Sequence, residues 1–406
     1  MSVQRAPQAV PAGTSTQSRT IPGSKSQSSK SQSSTSQSWK SRSLNIQGLI
    51  FAAVALPLAG FALSCGGSSS SSTKVTVHNA YVTMPKATSV GLLHIDSNGN
   101  ISVVSQTTPV SGFSPASLAV HPSKKFLYVA SSGGNSIFIY NVAADGSLSV
   151  VGNPTPAGAG PLSLVIDPAG KFLLVANYFD NSISVFSIDS GTGALSQVNG
   201  SPFPSNTGPT NLLITPSGKF VYVAIPNGGF VEGFSLGSDG SLTLVPNSPV
   251  AAGAGTGAMA VDPGEHFLYT ANLSGDSISA FTIDPGTGAL TPVVNLPYST
   301  CVGPVGLGVE SSSKFLYAAC NSSSSNIYVY SIDAASGRLT LLNLTAISAA
   351  GANFLLMEPA GGFFYVGDQT GNSIHSFSYV STTGVPKEIT GSPFTVGTAP
   401  GDLIVP

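Results

Sequence analysis

From residue 75 onward the hydrophobic positions fall into short runs that change character in a fixed order. In the stretch beginning at 161, an almost continuous apolar run, Leu162–Ile166, leads through Asp167-Pro-Ala-Gly to a second apolar run, Phe172–Ala176. A polar segment, Asn177–Asn181, precedes Ser182-Ile-Ser-Val-Phe-Ser-Ile, where polar and apolar residues alternate. After Asp189-Ser-Gly-Thr-Gly, a weaker run, Ala194–Val198, ends the unit. Continuous apolar runs suit strands covered on both faces, and alternation suits a strand covered on one. Proline fixes φ and glycine accepts a positive φ, so the intervening segments read as tight turns. The unit therefore predicts four antiparallel strands, A to D.

The same phrase recurs. Lys125-Phe-Leu-Tyr-Val-Ala returns as Lys171-Phe-Leu-Leu-Val-Ala, Lys219-Phe-Val-Tyr-Val-Ala, His266-Phe-Leu-Tyr-Thr-Ala, Lys314-Phe-Leu-Tyr-Ala-Ala and Gly362-Phe-Phe-Tyr-Val-Gly, at spacings of 46, 48, 47, 48 and 48. Forty-seven residues before Lys125, His78-Asn-Ala-Tyr-Val-Thr is an eroded seventh copy. Four antiparallel strands per period, repeated radially, define a blade, so the expected fold is all-β, a seven-bladed β-propeller over 75–406. The first copy opens at strand B, and the last residues, Gly401-Asp-Leu-Ile-Val-Pro, form a strand A with nothing after it. Joined, 399–405 against 79–83 would complete one blade and close the ring, removing exposed sheet edges.

The region before the repeats has a different composition. Residues 1–43 are Ser/Gln/Lys low complexity, which cannot bury enough apolar surface to order itself. Residues 44–64 contain the uncharged apolar stretch Leu49–Leu63, too short for a span of about 20 residues but suited to a signal-peptide core. It ends in Ala62-Leu63-Ser64-Cys65-Gly66-Gly67, which resembles the lipobox of bacterial lipoproteins, with Ala62 where Leu is usual. The resemblance implies lipid on Cys65, a Ser-rich tether over 65–74, and an exported, lipid-anchored protein of the cell envelope, facing the periplasm or the cell surface. A plain signal peptide or an uncleaved anchor is the alternative.

Charge narrows the partners. Residues 1–64 carry six basic residues and no acidic one, leaving nine basic against seventeen acidic in 65–406, a formal −8. Nucleic acid is excluded as a partner for a body of that sign. Two cysteines remain, and export permits a disulfide. Folding the hairpin about Ser312 sets Cys320 opposite about residue 304, bringing Cys301 within reach of a bridge; two small buried hydrophobes are the alternative.

The repeats are similar to those of the lactonase family of seven-bladed propellers, which includes bacterial 6-phosphogluconolactonase. The carriers are the Gly-Pro opening of strand A, Asp-Pro-x-Gly-Lys-Phe-Leu-x-Val-Ala-Asn at 167–177, Asn-Ser-Ile-Ser-Val-Phe-Ser-Ile-Asp at 181–189 and the Gly-Ala-Leu of strand D at 193–195 and 288–290. In the family's enzymes the resemblance implies an Arg-His pair early in a strand A and a Glu after the Asn ending strand B. Here the corresponding segments read Gly208-Pro-Thr-Asn-Leu with Ala224-Ile-Pro-Asn, and Gly255-Thr-Gly-Ala-Met with Ala271-Asn-Leu-Ser. The scaffold is present without that set.

The residues themselves agree. The sole Arg beyond Arg42 is Arg338, in a C–D turn on the face opposite the mouth, and no His falls in a mouth loop. An anionic substrate would call for guanidinium groups there, and acid–base work for a His. No motif calls for a cofactor or metal; the Asp189 and Asp284 turns offer one carboxylate each, where calcium wants six to eight oxygens. The B–C loops and D–A connections are neutral and polar. Asn177, Tyr178, Asp180, Asn227, Asn272, Asp276 and Asp368 are the mouth-face binding candidates, for a glycan, small molecule or protein, with Tyr178 or Phe179 as a stacking surface. Ordinary turn chemistry is the competing explanation. The expectation is a monomeric binding or structural module, with a lactone hydrolase using Asp180, Glu232 or Asp276 as the alternative.

Overall fold

A computed structural model describes residues 77–107, 112–294, 297–322, 326–346 and 351–406. The expectations for 1–43, 44–64, Cys65 and the tether lie outside these residues. The described chain forms seven antiparallel sheets, one per repeat, and the fold is a seven-bladed β-propeller. In the third blade, strands Pro161–Ile166, Phe172–Asn177, Ser182–Ile188 and Leu195–Gln197 pair in sequence order. Blades 2 to 7 begin with strand A at Pro115, Pro161, Asn211, Thr256, Pro304 and Ala352. Blade 1 is built from Val77–Met84, Ser89–Asp96 and Ile101–Gln106, and its innermost strand is Leu403–Ile404. That strand pairs antiparallel, Tyr81 opposite Ile404 and Val82 opposite Leu403. Backbone bonds from Thr83 N–H to Asp402 and from Gly401 N–H to Thr83 extend the closure.

Local chemistry explains the A–B turns. A side chain at the end of strand A accepts the backbone N–H of the Phe that opens strand B. Asp167 does so for Phe172 at 2.5 Å, Asp262 for Phe267 at 2.6 Å, and Glu310 for Phe315 at 3.2 Å. The C–D turns are closed by aspartates too: Asp189 Oδ1 accepts from Gly191 N, Thr192 N and Thr192 Oγ1, and Asp284 repeats this with Gly286 and Thr287. These carboxylates serve as turn caps.

One feature of the outer strands lies beyond the hydrophobic pattern. In five blades strand D stops after three residues, and a two-residue strand of the D–A connection takes over the pairing with strand C. At three of these breaks the serine of a Ser-Pro step accepts the strand C N–H left open: Ser201 from Val185, Ser248 from Gly233 and Ser392 from Ser376. Blades 1 and 6 instead have continuous outer strands, Ile101–Gln106 and Leu339–Ala346, each pairing with its strand C through a register shift.

The core lies between blades. Strand B is buried throughout in most of them. The Tyr of the repeated phrase crosses to the next blade: Tyr81, Tyr128, Tyr222, Tyr269 and Tyr317 donate to the carbonyls of Gly146, Gly193, Gly288, Gly337 and Gly384 at 2.8–3.0 Å. Those glycines sit at positive φ in C–D turns. An added Cβ on Gly193, Gly337 or Gly384 would collide with Phe126, Phe267 or Phe315 of the preceding blade. The Phe and Tyr of the repeat and the Gly of the following turn are thus one blade-to-blade joint. Cys301 and Cys320 form a disulfide with a Cα–Cα distance of 6.0 Å, and Cys320 stands opposite Pro304. No helix among the described residues is long and apolar enough to cross a membrane.

Candidate functional site

Strand A of each blade lines the central channel and starts at the mouth, the face built from B–C loops and D–A connections. The strand A residues level with the last residue of the repeated strand B phrase line one cavity: Ser117, Ser163, Asn211, Ala258, Gly306, Phe354 and Asp402. With Thr210 and Asn353 nearby, these surround a cavity of about 270 Å³. Deeper in, Leu118, Leu164, Leu212, Ile214, Met259 and Ile404 make the channel apolar. The polar level also ties blades together. Asp402 Oδ2 accepts Leu118 N–H at 3.2 Å, Ser117 Oγ accepts Leu164 N–H at 3.4 Å, and Ser163 Oγ accepts Leu212 N–H at 3.1 Å. Asn353 Nδ2 donates to the carbonyls of Pro400 and Gly401.

Asp402 is the one ionisable side chain on this cavity. Asp402 is half-buried on the channel, and desolvation among the packed strands pushes its pKa up to about 6 against the pull of hydrogen bonds from Leu118 N–H, Ser117 and Leu403 N–H. In the sequence Asp402 stands inside a strand A, a run whose apolar neighbours mark it as core and conceal the carboxyl. Setting the seven strand A segments side by side would have shown the position, one that is Ser or Asn in three other blades.

The mouth-loop candidates separate into two groups. Asn177, Asn272 and Asp368 are buried and face into the blade, away from any ligand on the mouth. Asn177 Nδ2 donates to Ser182 and Ser184, and Asn272 Nδ2 to Ser277 and Ser279. Asp368 Oδ1 accepts the N–H groups of Gly351, Thr370 and Gly371. As the last residues of strand B they fix the loop that follows, their side chains taken up in the blade's own hydrogen bonds. Asp180 and Asp276 are exposed, yet their carboxylates hold D–A connections, accepting Ala159 N–H at 2.6 Å and Gly303 N–H at 2.8 Å. Tyr178 and Asn227 do present surface to solvent, the amide donating to the phenol oxygen at 3.4 Å.

Glu232 is buried beneath the mouth and fully engaged, accepting from Ser205 Oγ at 2.6 Å and from Asn206 N and Nδ2 at 3.1 and 2.9 Å. His375, at the same strand C position in blade 7, is wholly buried. Its Nδ1 lies 2.7 Å from Glu388 Oε1, and its Nε2, with no hydrogen-bond partner, is 4.0 Å from Asp368 Oδ2. A carboxylate–imidazole–carboxylate set therefore exists, one that strand position alone did not reveal; His375 and Asp368 are buried, Glu388 reaches the surface, and none of the three lines the channel cavity. Among the described residues no cluster of three His, Cys, Asp or Glu side chains could hold a metal ion.

The family model for lactonases of the seven-bladed β-propeller type matches residues 76–206, 198–304 and 298–399. The chain belongs to this lactonase family. Its propeller is similar to the structure of a Bacteroides fragilis protein provisionally assigned as a 6-phosphogluconolactonase, at 20% identity over 82% of this chain and 99% of that one, with a TM-score of 0.68. The periplasmic gluconolactonase of Pseudomonas aeruginosa matches at 17% identity over 82% and 100% of the two chains, also with a TM-score of 0.68. Likenesses of this degree speak to the fold. No curated protein matches the sequence.

Proposed function

We propose that this lactonase-family propeller is a binding module for a small, uncharged, hydroxylated ligand seated at the mouth end of the channel. The observation that carries the reading is the lining itself: hydroxyls and amides from Ser117, Ser163, Thr210, Asn211 and Asn353 around a single carboxyl, Asp402, with no cation, imidazole or second carboxylate beside it. Such a set recognises hydroxyl groups by hydrogen bonding. It provides no guanidinium for a phosphate, and Lys86 is the one cation among the described mouth loops. A hydrolase of this class needs a base for water and an acid for the leaving group, and one carboxyl cannot be both at once.

The second reading, a lactone hydrolase, is favoured by the family match and by the raised pKa of Asp402, as expected of a group tuned for proton transfer. Titration of the full chain with neutral sugars and aldonolactones separates the two. Saturable binding with the lactone intact supports the module. Lactone opening that is lost in Asp402→Asn would establish the hydrolase instead.

Export and lipid anchoring through Cys65 complete the proposal. Mass spectrometry of membrane-extracted protein should find residues 1–64 removed and Cys65 acylated. Unchanged membrane partition of a Cys65→Ala variant would overturn the anchor.

A further inference from the structure

The mouth face carries apolar side chains that neither turns nor core require. Phe179 is 74% exposed, Val302 64% and Leu273 47%, all in B–C loops or D–A connections. Their seats are built from glycine. An added Cβ on Gly160 would strike the Phe179 ring, and one on Gly208 would lie 2.9 Å from Tyr178 Cε2; both glycines have positive φ, 67° and 74°. Leu273 packs over Gly303 at ordinary van der Waals range, its Cδ1 3.6 Å from where a Cβ would stand. The rings of Tyr178 and Phe179 meet edge to face, centroids 5.1 Å apart at 83°. They form a corner, with the broad exposure of Phe179 turned to solvent.

Between this corner and Leu273 runs an open groove of about 630 Å³, floored by Gly228, Gly229, Gly253 and Gly255 and edged by Asn227 and Ser274. Asn227 joins the two halves through Tyr178. The result is a strip from Phe179 in blade 3 to Val302 at the entry to blade 6, in which apolar faces alternate with an amide, a hydroxyl and glycine-rich backbone. The only carboxylates along it, Asp180 and Asp276, are occupied by backbone N–H groups, and no lysine or arginine is present.

We propose that the strip is an extended subsite for a linear, uncharged glycan of several sugar units, laid across the mouth beside the channel. Sugar rings have apolar C–H faces and hydroxyl edges. They match an exposed aromatic face followed by peptide and amide groups, whereas a purely apolar partner would leave the groove's polar groups unsatisfied. An anionic polymer finds no counter-charge. The groove is more than twice the volume of the channel cavity, so chain length is what it adds. This rests on the reading that the mouth binds hydroxylated ligands.

The test screens the full chain against uncharged glycans from mono- to hexasaccharide, covering the common linkages, and titrates the best series. Affinity should rise at least tenfold from monomer to hexamer. Phe179→Ala and Leu273→Ser should each cut hexamer affinity fivefold or more, leaving monomer affinity and the thermal midpoint unchanged because both residues are exposed. Monomer binding without a gain from length overturns the strip and leaves the channel reading intact. Length-dependent binding lost in Phe179→Ala with no monomer binding supports the strip and sinks the channel. No binding to any glycan overturns both. Full hexamer affinity in both variants also overturns the strip, and points to a protein partner for that surface.

Discussion

The conserved-looking tyrosine of the repeat is best understood through its one exception within the chain. In blade 3 the phrase reads Leu-Leu-Val, so Leu174 replaces the Tyr, and no hydroxyl reaches the Gly240 carbonyl of the following C–D turn. Elsewhere the hydroxyl is buried and hydrogen-bonded. Desolvation, with a smaller contribution from Asp145, pushes the pKa of Tyr81 up to about 12, so these phenols stay neutral donors at any ordinary pH. Tyr128→Phe should destabilise the protein by about 1–2 kcal/mol, because it leaves the Gly193 carbonyl buried without its partner. Gly193→Ala should cost more, about 2–4 kcal/mol, since a φ of 73° is strained for alanine and the new methyl meets the Phe126 ring. Chemical denaturation would check both, and a Gly193→Ala variant as stable as the parent would refute the joint. Repetition made this Tyr visible in the sequence. Its partner in the next blade was not, because the two are 65 residues apart.

At the scale of the element, strand A does two jobs, and Asp402 shows the tension between them. Its carboxyl accepts the N–H of Leu118 across the closure, yet it is desolvated with no cation near. The folded pKa, about 6, lies above the unfolded value near 3.8. The stability linked to this group is therefore fully present below about pH 4 and is lost as pH rises through 6, by up to about 3 kcal/mol. Asp402→Asn cannot ionise, so its stability should fall less than the parent's between pH 4.5 and 7.5, the remaining fall coming from Glu358, whose carboxyl burial also holds above its usual range; a difference between the two that does not move with pH would refute the assignment. The C–D turns pull the other way. Hydroxyl hydrogen bonds, from Ser147 to Asp145 and from Thr192 to Asp189, followed by backbone N–H groups, hold these exposed carboxylates below their usual range. Their contribution is present above the unfolded pKa and lost as pH falls. Stability should accordingly peak near pH 4 and decline from there through pH 6. The disulfide acts at the same scale: Cys301 and Cys320 enclose a short loop, separation 19, so Cys301→Ser with Cys320→Ser should cost about 3 kcal/mol in the chain-entropy account, read as a lowered denaturation midpoint.

For the whole molecule, the decisive contact is made by the last residues. Leu403 and Val405 are buried with Ala80, Val82 and Leu93 of blade 1, and Asp402 reaches blade 2. Deleting Gly401–Pro406 would expose the inner edge of blade 1, remove one wall of the channel cavity and uncouple two blades. A radially closed sheet has no spare edge pairing to replace it, so the truncation should lower the thermal midpoint of the entire propeller. An unchanged midpoint would count against closure as a source of stability. Loss of ligand affinity should accompany the loss of fold, because the cavity is shared among all seven strands A.

The architecture is legible in the chain: a phrase repeated at intervals of 46 to 48 residues, with an unpaired strand B at one end and an unpaired strand A at the other, admits a seven-bladed ring closed between its ends. Cys320 does stand opposite Pro304, as folding about Ser312 anticipates, but through a bulge between Pro304 and Gly306 that shifts the hairpin's register by one and that no turn position announces. The functional surface was less legible. Asn177, Asn272 and Asp368 are loop-edge residues by sequence, but the pleat turns their side chains inward, and only packing reveals which way a strand's last residue faces. Asp402 looked like part of an apolar strand until six other strands were brought round it. His375 acquired two carboxylate neighbours, Asp368 from strand B and Glu388 from strand D, that its own strand could not announce. Repeats encode the blade through short-range patterns. A channel level or an inter-blade pocket is assembled from single residues more than forty positions apart, so tertiary structure alone decides its chemistry.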